Sequence, residues 1–158
     1  MKISVPLAAA AVLLAATPAF ALEASKTVDV AASPDKVWRT IGNFCGIADW
    51  HPAVTNCVMV DQNGKPTRTL SLKGGGTIVE QQTDRSDGGM QYSYTILQSP
   101  LPVSNYHSTI SVTKKGSGSE ISWKGNFDAK GASDADATKA IQGIYDSGLA
   151  SLAAKAQG

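Results

Sequence analysis

Arg68 and Glu80 fall on two segments that the Gly74-Gly75-Gly76 turn folds against one another, so their side chains can meet across a sheet. Pointing inward, the pair would form a polar floor for a ligand's carboxylate or hydroxyl. Pointing outward, it would be an ordinary cross-strand ion pair of little energetic weight. A second cluster is Asp49-Trp50-His51. An Asp-x-His on a short helix can orient an imidazole as a general base, although the Gly-x-Ser-x-Gly elbow that would supply a nucleophile is absent. The alternative is that His51, just before Pro52, caps or packs the end of its helix. His107 alternates with Tyr106 on an ideal strand and is expected at the surface.

Trp50, Tyr92, Tyr94, Tyr106 and Trp123 are most of the large aromatics, four of them on expected strands. Inward rings would line a pocket and offer orienting hydroxyls; the other reading is plain packing or an outward aromatic face. Parity favours the inward reading. Tyr92 and Tyr94 share it with Met90 and Ile96, whereas Gln91, Ser93 and Thr95 suit water. Tyr106 likewise goes with Ile110 and Val112. The candidate ligand-binding residues are therefore Trp50, His51, Arg68, Glu80, Tyr92, Tyr94, Tyr106 and Trp123. No catalytic residue is assigned. No metal site is expected, and without a Walker loop, dinucleotide fingerprint, HExxH or EF-hand no cofactor is expected either.

Cys45 and Cys57 are the two cysteines. An even count in an oxidising compartment favours a disulfide, worth about 3 kcal/mol for so short a loop, with buried free thiols as the alternative. Only His51 lies near enough to join them in metal ligation, and the spacing fits no common zinc pattern.

The elements that must position these residues follow from periodicity. Lys26 to Ala31 alternates as a first strand. Ser33-Pro34-Asp35 opens a helix with apolar Val37, Trp38 and Ile41 that Gly42 ends, and a shorter helical piece spans Gly46 to Trp50. Six strands are then expected: Val54 to Val60, Thr67 to Leu72, Ile78 to Thr83, Met90 to Ile96, Tyr106 to Val112 and Ile121 to Phe127. Gln62-Asn63-Gly64-Lys65, Asp87-Gly88-Gly89 and Gly116-Ser117-Gly118 mark turns. Ser133 starts a final helix whose apolar residues, Ile141, Ile144, Tyr145, Leu149 and Leu152, recur at helical spacing. Ala137, Ala140, Gly143, Gly148 and Ala150 thin that stripe and are expected to leave a cavity beneath it, unless they serve close helix–sheet approach.

Residues 1–21 read as a cleavable signal peptide: Lys2, an apolar run from Ile3 to Ala16, a break at Thr17-Pro18, and the small-x-small site Ala19-Phe20-Ala21. A cut after Ala24 has the weaker frame. The expected mature chain, residues 22–158, is one domain without a membrane anchor, periplasmic or secreted. The whole chain holds 14 Lys and Arg against 13 Asp and Glu, and the leader takes one lysine and no acid, so the mature balance is neutral. Neutrality argues against nucleic acid or an anionic membrane as partner.

Ser33-Pro34-Asp35-Lys36-Val37-Trp38 with Phe44, Gly46 and Trp50-His51-Pro52, supported by Arg68 with Leu70, Glu80 ahead of Asp84, and Leu101 to Tyr106, resembles the START-like polyketide cyclase/dehydrase and lipid-transport superfamily (SRPBCC). The likeness spans about residues 25–155. It implies an α+β helix-grip fold, with a curved seven-stranded antiparallel sheet around the long C-terminal helix and two short helices after the first strand. It also implies an apolar cavity guarded by loops at Lys73 to Thr77 and Ser99 to Asn105. The plant hormone receptors of the superfamily share an Asn-Tyr like Asn105-Tyr106, but Gly74-Gly75-Gly76 replaces their first-loop sequence, so that role does not carry over. The first functional expectation is a periplasmic binding or carrier protein for a hydrophobic or aromatic small molecule. The second is a cyclase or dehydratase in which Glu80, Arg68, His51 or a tyrosine moves protons. The third is an accessory protein that acts by protein contact in a periplasmic oxidation system, as some exported relatives do in methanol oxidation.

Overall fold

The computed structural model describes residues 21–158, so the signal-peptide reading lies almost wholly outside the described residues. The chain runs β1 (Leu22–Val30), α1 (Pro34–Ile41), α2 (Ile47–Trp50), β2 (Val54–Gln62), β3 (Lys65–Leu72), β4 (Thr77–Ser86), β5 (Gln91–Gln98), β6 (Val103–Lys115), β7 (Gly118–Ala129) and α3 (Asp134–Gln157). The strands form one antiparallel sheet in the order β1-β7-β6-β5-β4-β3-β2, curved around α3. This is the α+β helix-grip arrangement, in which consecutive strands from β2 to β7 pair as hairpins and β1 closes beside β7.

Local chemistry accounts for most boundaries. The Ser33 side chain accepts from the Lys36 amide, Pro34 sits in the first turn, and Gly42 stops α1 at a φ of 72°. Asn63 and Gly64, with φ of 56° and 77°, make the two-residue turn between β2 and β3. Ser133 caps α3 by accepting from the Asp136 amide. Register shifts in β2, β4 and β6 insert bulges, which add bend and twist to a sheet that must wrap a helix.

The strands run past most of their expected boundaries, and three of the shifts bear on the site and its loops. β1 begins at Leu22 instead of Lys26, because Leu22 through Ser25 pair with Lys124 through Phe127 regardless of their weak alternation. β6 begins at Val103, so the second loop is shorter than Ser99 to Asn105, and Asn105 sits at a bulge with a φ of 51°. Met90 lies in the turn before β5 at a φ of 49°, half-buried against the core.

The core occupies the concave face. Ile110, Val112, Ile121, Trp123 and Phe127 from β6 and β7 meet Ile141, Tyr145, Leu149 and Leu152 of α3, and Val37, Ile41 and Phe44 close the side next to α1. Small residues of α3 do not line a void. Gly143 and Ala150 face solvent, while Ala137 and Gly148 are buried. A β-carbon on Gly148 would lie 2.6 Å from His51 Cδ2 and 2.8 Å from Trp123 Cζ3. At that point the small residues serve close approach, not emptiness.

Candidate functional site

Open space exists one to two turns earlier along α3. A cavity of about 310 Å³ lies between the concave sheet and Ile141 and Ile144. Leu70, Ile78 and Ile96 supply its apolar wall, and Ile47 with His51 closes it from α2. Its mouth is formed by Lys73, Gly74 and Gly75 of the triple-Gly turn and by Leu101 of the second loop. The two loops face each other closely: a β-carbon on Gly76 would lie 3.7 Å from Pro100 Cγ. Glycine is needed in the first loop, where Gly75 and Gly76 have φ of 90° and 85°. The volume, room for about ten waters at liquid density, is at the small end of small-molecule sites.

The structure brings five of the eight candidate residues to this wall: His51, Glu80, Tyr94, Tyr106 and Trp123. Trp50, Arg68 and Tyr92 are buried behind it and do not line the cavity. Trp50 instead donates from Nε1 to the Ile41 carbonyl and packs edge-on to Trp123.

Arg68 and Glu80 are direct cross-strand partners, and both point inward. Arg68 Nε lies 2.6 Å from Glu80 Oε2, and another guanidinium nitrogen donates to the Phe44 carbonyl. The guanidinium stacks 3.9 Å from the Phe44 ring centroid. Burial alone would pull the Arg68 pKa down, but Glu80 holds it above its ordinary value, so the cation stays charged. The polar floor is thus split: the carboxylate reaches the cavity and its counter-ion lies beneath.

His51 is fixed at both nitrogens. Nε2 lies 3.1 Å from the Ile144 carbonyl, which can only accept, so Nε2 carries the proton; Nδ1 accepts from the Ala53 amide. Burial lowers its pKa and keeps the ring neutral. An imidazole with its basic nitrogen already bonded to a backbone amide is no general base. His51 holds the end of α2 against α3, the packing role weighed from the sequence. His107 is exposed.

Tyr94 and Tyr106 belong to a buried hydroxyl chain that the sequence reading did not assemble. Trp123 Nε1 lies 3.1 Å from the Tyr94 hydroxyl, which lies 3.3 Å from that of Tyr106. Tyr106 meets Tyr145 at 2.6 Å, Tyr145 meets Ser108 Oγ at 2.9 Å, and Ser108 donates to the Lys124 carbonyl. Burial pushes all three phenols up, Tyr145 to about 12, so they remain protonated. Gly125 leaves room for this chain, since a β-carbon there would collide with the Tyr145 hydroxyl. Tyr145 could have been suspected from its place in the α3 apolar stripe. Ser108 could have been suspected from a lone hydroxyl at inward parity between Tyr106 and Ile110.

Cys45 and Cys57 are joined in a disulfide that ties the loop before α2 to β2. Among the described residues no group of three or more His, Cys, Asp or Glu could hold a metal ion, and no helix is long and apolar enough to cross a membrane.

Solved structures align over most of the chain. XoxI from Bacillus cereus is 32% identical with a TM-score of 0.80, covering 85% of this chain and 94% of its own. An uncharacterised protein from Bacillus thuringiensis is 30% identical with a TM-score of 0.79, covering 86% of this chain and 99% of its own. The ZhuI aromatase/cyclase from Streptomyces sp. R1128, at 17% identity and a TM-score of 0.70 over 86% of this chain and 93% of its own, shares the fold. No curated protein matches the sequence. The sequence profile described as polyketide cyclase / dehydrase and lipid transport matches residues 21–157, so the chain belongs to that family.

Proposed function

We propose that this protein is an exported binding or carrier protein that holds a hydrophobic or aromatic small molecule between the sheet and α3. The observation that carries the reading is the cavity itself: aliphatic and aromatic walls, a small cluster of polar groups at one side, and a mouth between two facing loops. Export is supported by the Cys45–Cys57 disulfide, which suits an oxidising compartment. Cleavage after Ala21 leaves the strand whole, whereas a cut after Ala24 would remove a buried residue and three paired positions.

The cyclase or dehydratase reading loses ground at His51, whose two nitrogens are committed to the backbone. The accessory reading draws on a different feature: Val58, Met59 and Val60 are exposed on β2, an edge strand. Native mass spectrometry separates these readings on protein exported with its own leader and purified from the periplasm. The carrier reading expects a chain beginning at Leu22 with a non-covalent small-molecule adduct. A bare chain that also takes up no apolar probe would overturn it in favour of protein contact.

A further inference from the structure

The hydroxyl chain behind the cavity has a fixed direction. The Lys124 carbonyl can only accept, so the Ser108 proton points to it. Ser108 Oγ must then accept from Tyr145, Tyr145 from Tyr106, and Tyr106 from Tyr94. At the other end the Trp123 indole can only donate, and it donates to Tyr94. Every proton in the relay is spent inside the protein. The remaining lining donor of the interior, His51 Nε2–H, is spent on Ile144.

What remains open to the cavity is acceptors. Glu80 keeps Oε1, since Arg68 Nε donates to Oε2 and no other hydrogen bond reaches the carboxylate among the described residues. Arg68 Nη2 is buried without a partner, but Arg68 lies behind the wall and does not line the cavity. Tyr94 and Tyr106 each keep a lone pair beyond the one their neighbour uses. The lone basic group on the lining, Lys73, is exposed at the mouth. A carboxylate or carbonyl entering the interior would therefore meet acceptors on every polar side. A buried ammonium is disfavoured too, because Arg68 already neutralises Glu80 and a second cation would be left uncompensated in an apolar site.

We propose that the cavity selects a neutral apolar molecule whose buried end is a hydroxyl, donating to Glu80 with Tyr94 and Tyr106 alongside. This rests on the carrier reading and narrows its ligand to phenols and alcohols; of the carboxylate or hydroxyl contact weighed from the sequence, it keeps the hydroxyl.

Calorimetric titration of the mature, disulfide-bonded protein at pH 7 with 2-naphthol, 2-methoxynaphthalene and 2-naphthoate tests it, because the three share one ring system. A donor hydrogen bond to a charged acceptor predicts that 2-naphthol binds about 10- to 100-fold tighter than 2-methoxynaphthalene, with 2-naphthoate weakest. In the double variant Arg68→Met/Glu80→Leu, which removes both charges and keeps the interior apolar, that preference should fall to a few-fold while the methoxy compound still binds. Equal affinities for hydroxyl and methoxy compounds, tightest binding of the naphthoate, or an undiminished preference in the double variant would each overturn the inference and leave the carrier reading standing. Failure of all three probes to bind would overturn both.

Discussion

Replacing Gly148 by alanine should destabilise the protein by about 1–3 kcal/mol, even though alanine is the better helix former. The added methyl would sit 2.6 Å and 2.9 Å from His51 ring atoms and 2.8 Å from Trp123 Cζ3. Comfortable carbon contacts are about 3.5–4.0 Å, so two rings would have to retreat by nearly 1 Å. Neither can do so freely. Trp123 stacks on Tyr145 with centroids 4.5 Å apart and donates to Tyr94, while His51 is held by two backbone hydrogen bonds. Overpacking of this kind costs about 1–3 kcal/mol, and losing the bond to Ile144 about 1 more. The gain in helix propensity returns about 1 kcal/mol. Gly143, in the same helix and exposed, provides the control, since a β-carbon there meets nothing within 4 Å. Gly143→Ala should stabilise by about 0.5–1 kcal/mol. Urea unfolding followed by tryptophan fluorescence, with the disulfide intact, measures both. If Gly148→Ala proves as stable as the parent while Gly143→Ala shows its gain, the close packing of α3 on His51 and Trp123 is wrong.

Breaking the buried ion pair should be costly and removing it whole should not. Glu80→Leu alone is expected to lose about 3–5 kcal/mol by stranding the Arg68 cation, whereas the Arg68→Met/Glu80→Leu protein should stay within about 2 kcal/mol of the parent, both read by denaturant midpoint. Replacing Cys45 and Cys57 together by serine should cost about 3 kcal/mol, because the bridge closes a short loop; thiol titration of the denatured, unreduced parent should find no free thiol. The depressed His51 pKa sets a pH dependence with a definite sign. The unfolded chain takes up this proton near pH 6.5 and the folded protein only at lower pH, so this contribution is complete above pH 6.5 and declines as pH falls through the window below it. His51→Gln should flatten that part of the profile; an unchanged slope would mean the imidazole is not held neutral.

Much of the site was legible because strand parity is a strict code. Alternation alone placed Tyr92, Tyr94 and Tyr106 on the inner face, and hairpin order across the triple-Gly turn made Arg68 and Glu80 neighbours; both arrangements hold. Capping chemistry likewise set the starts of α1 and α3, since Ser33 and Ser133 satisfy amides only a few residues away. These are local or nearest-neighbour properties, and a sequence carries them whole.

The position of empty space is not local. Whether Gly148 borders a void or a ring depends on where α2, some hundred residues earlier, presents His51. Periodicity identified the glycine and could not say what stood opposite. For the same reason the sequence could propose His51 as a base, yet its basic nitrogen is taken by Ala53 and its proton by Ile144 of a distant helix. The face of Arg68–Glu80 was open between two readings until the sheet curved inward over it. Most of all, the direction of the Trp123–Tyr94–Tyr106–Tyr145–Ser108 chain belongs to no single element. Three strands and α3 contribute to it (Tyr94 from β5, Tyr106 and Ser108 from β6, Trp123 and the Lys124 carbonyl from β7, Tyr145 from α3), and only their convergence spends every donor of the chain and leaves its acceptors to the cavity.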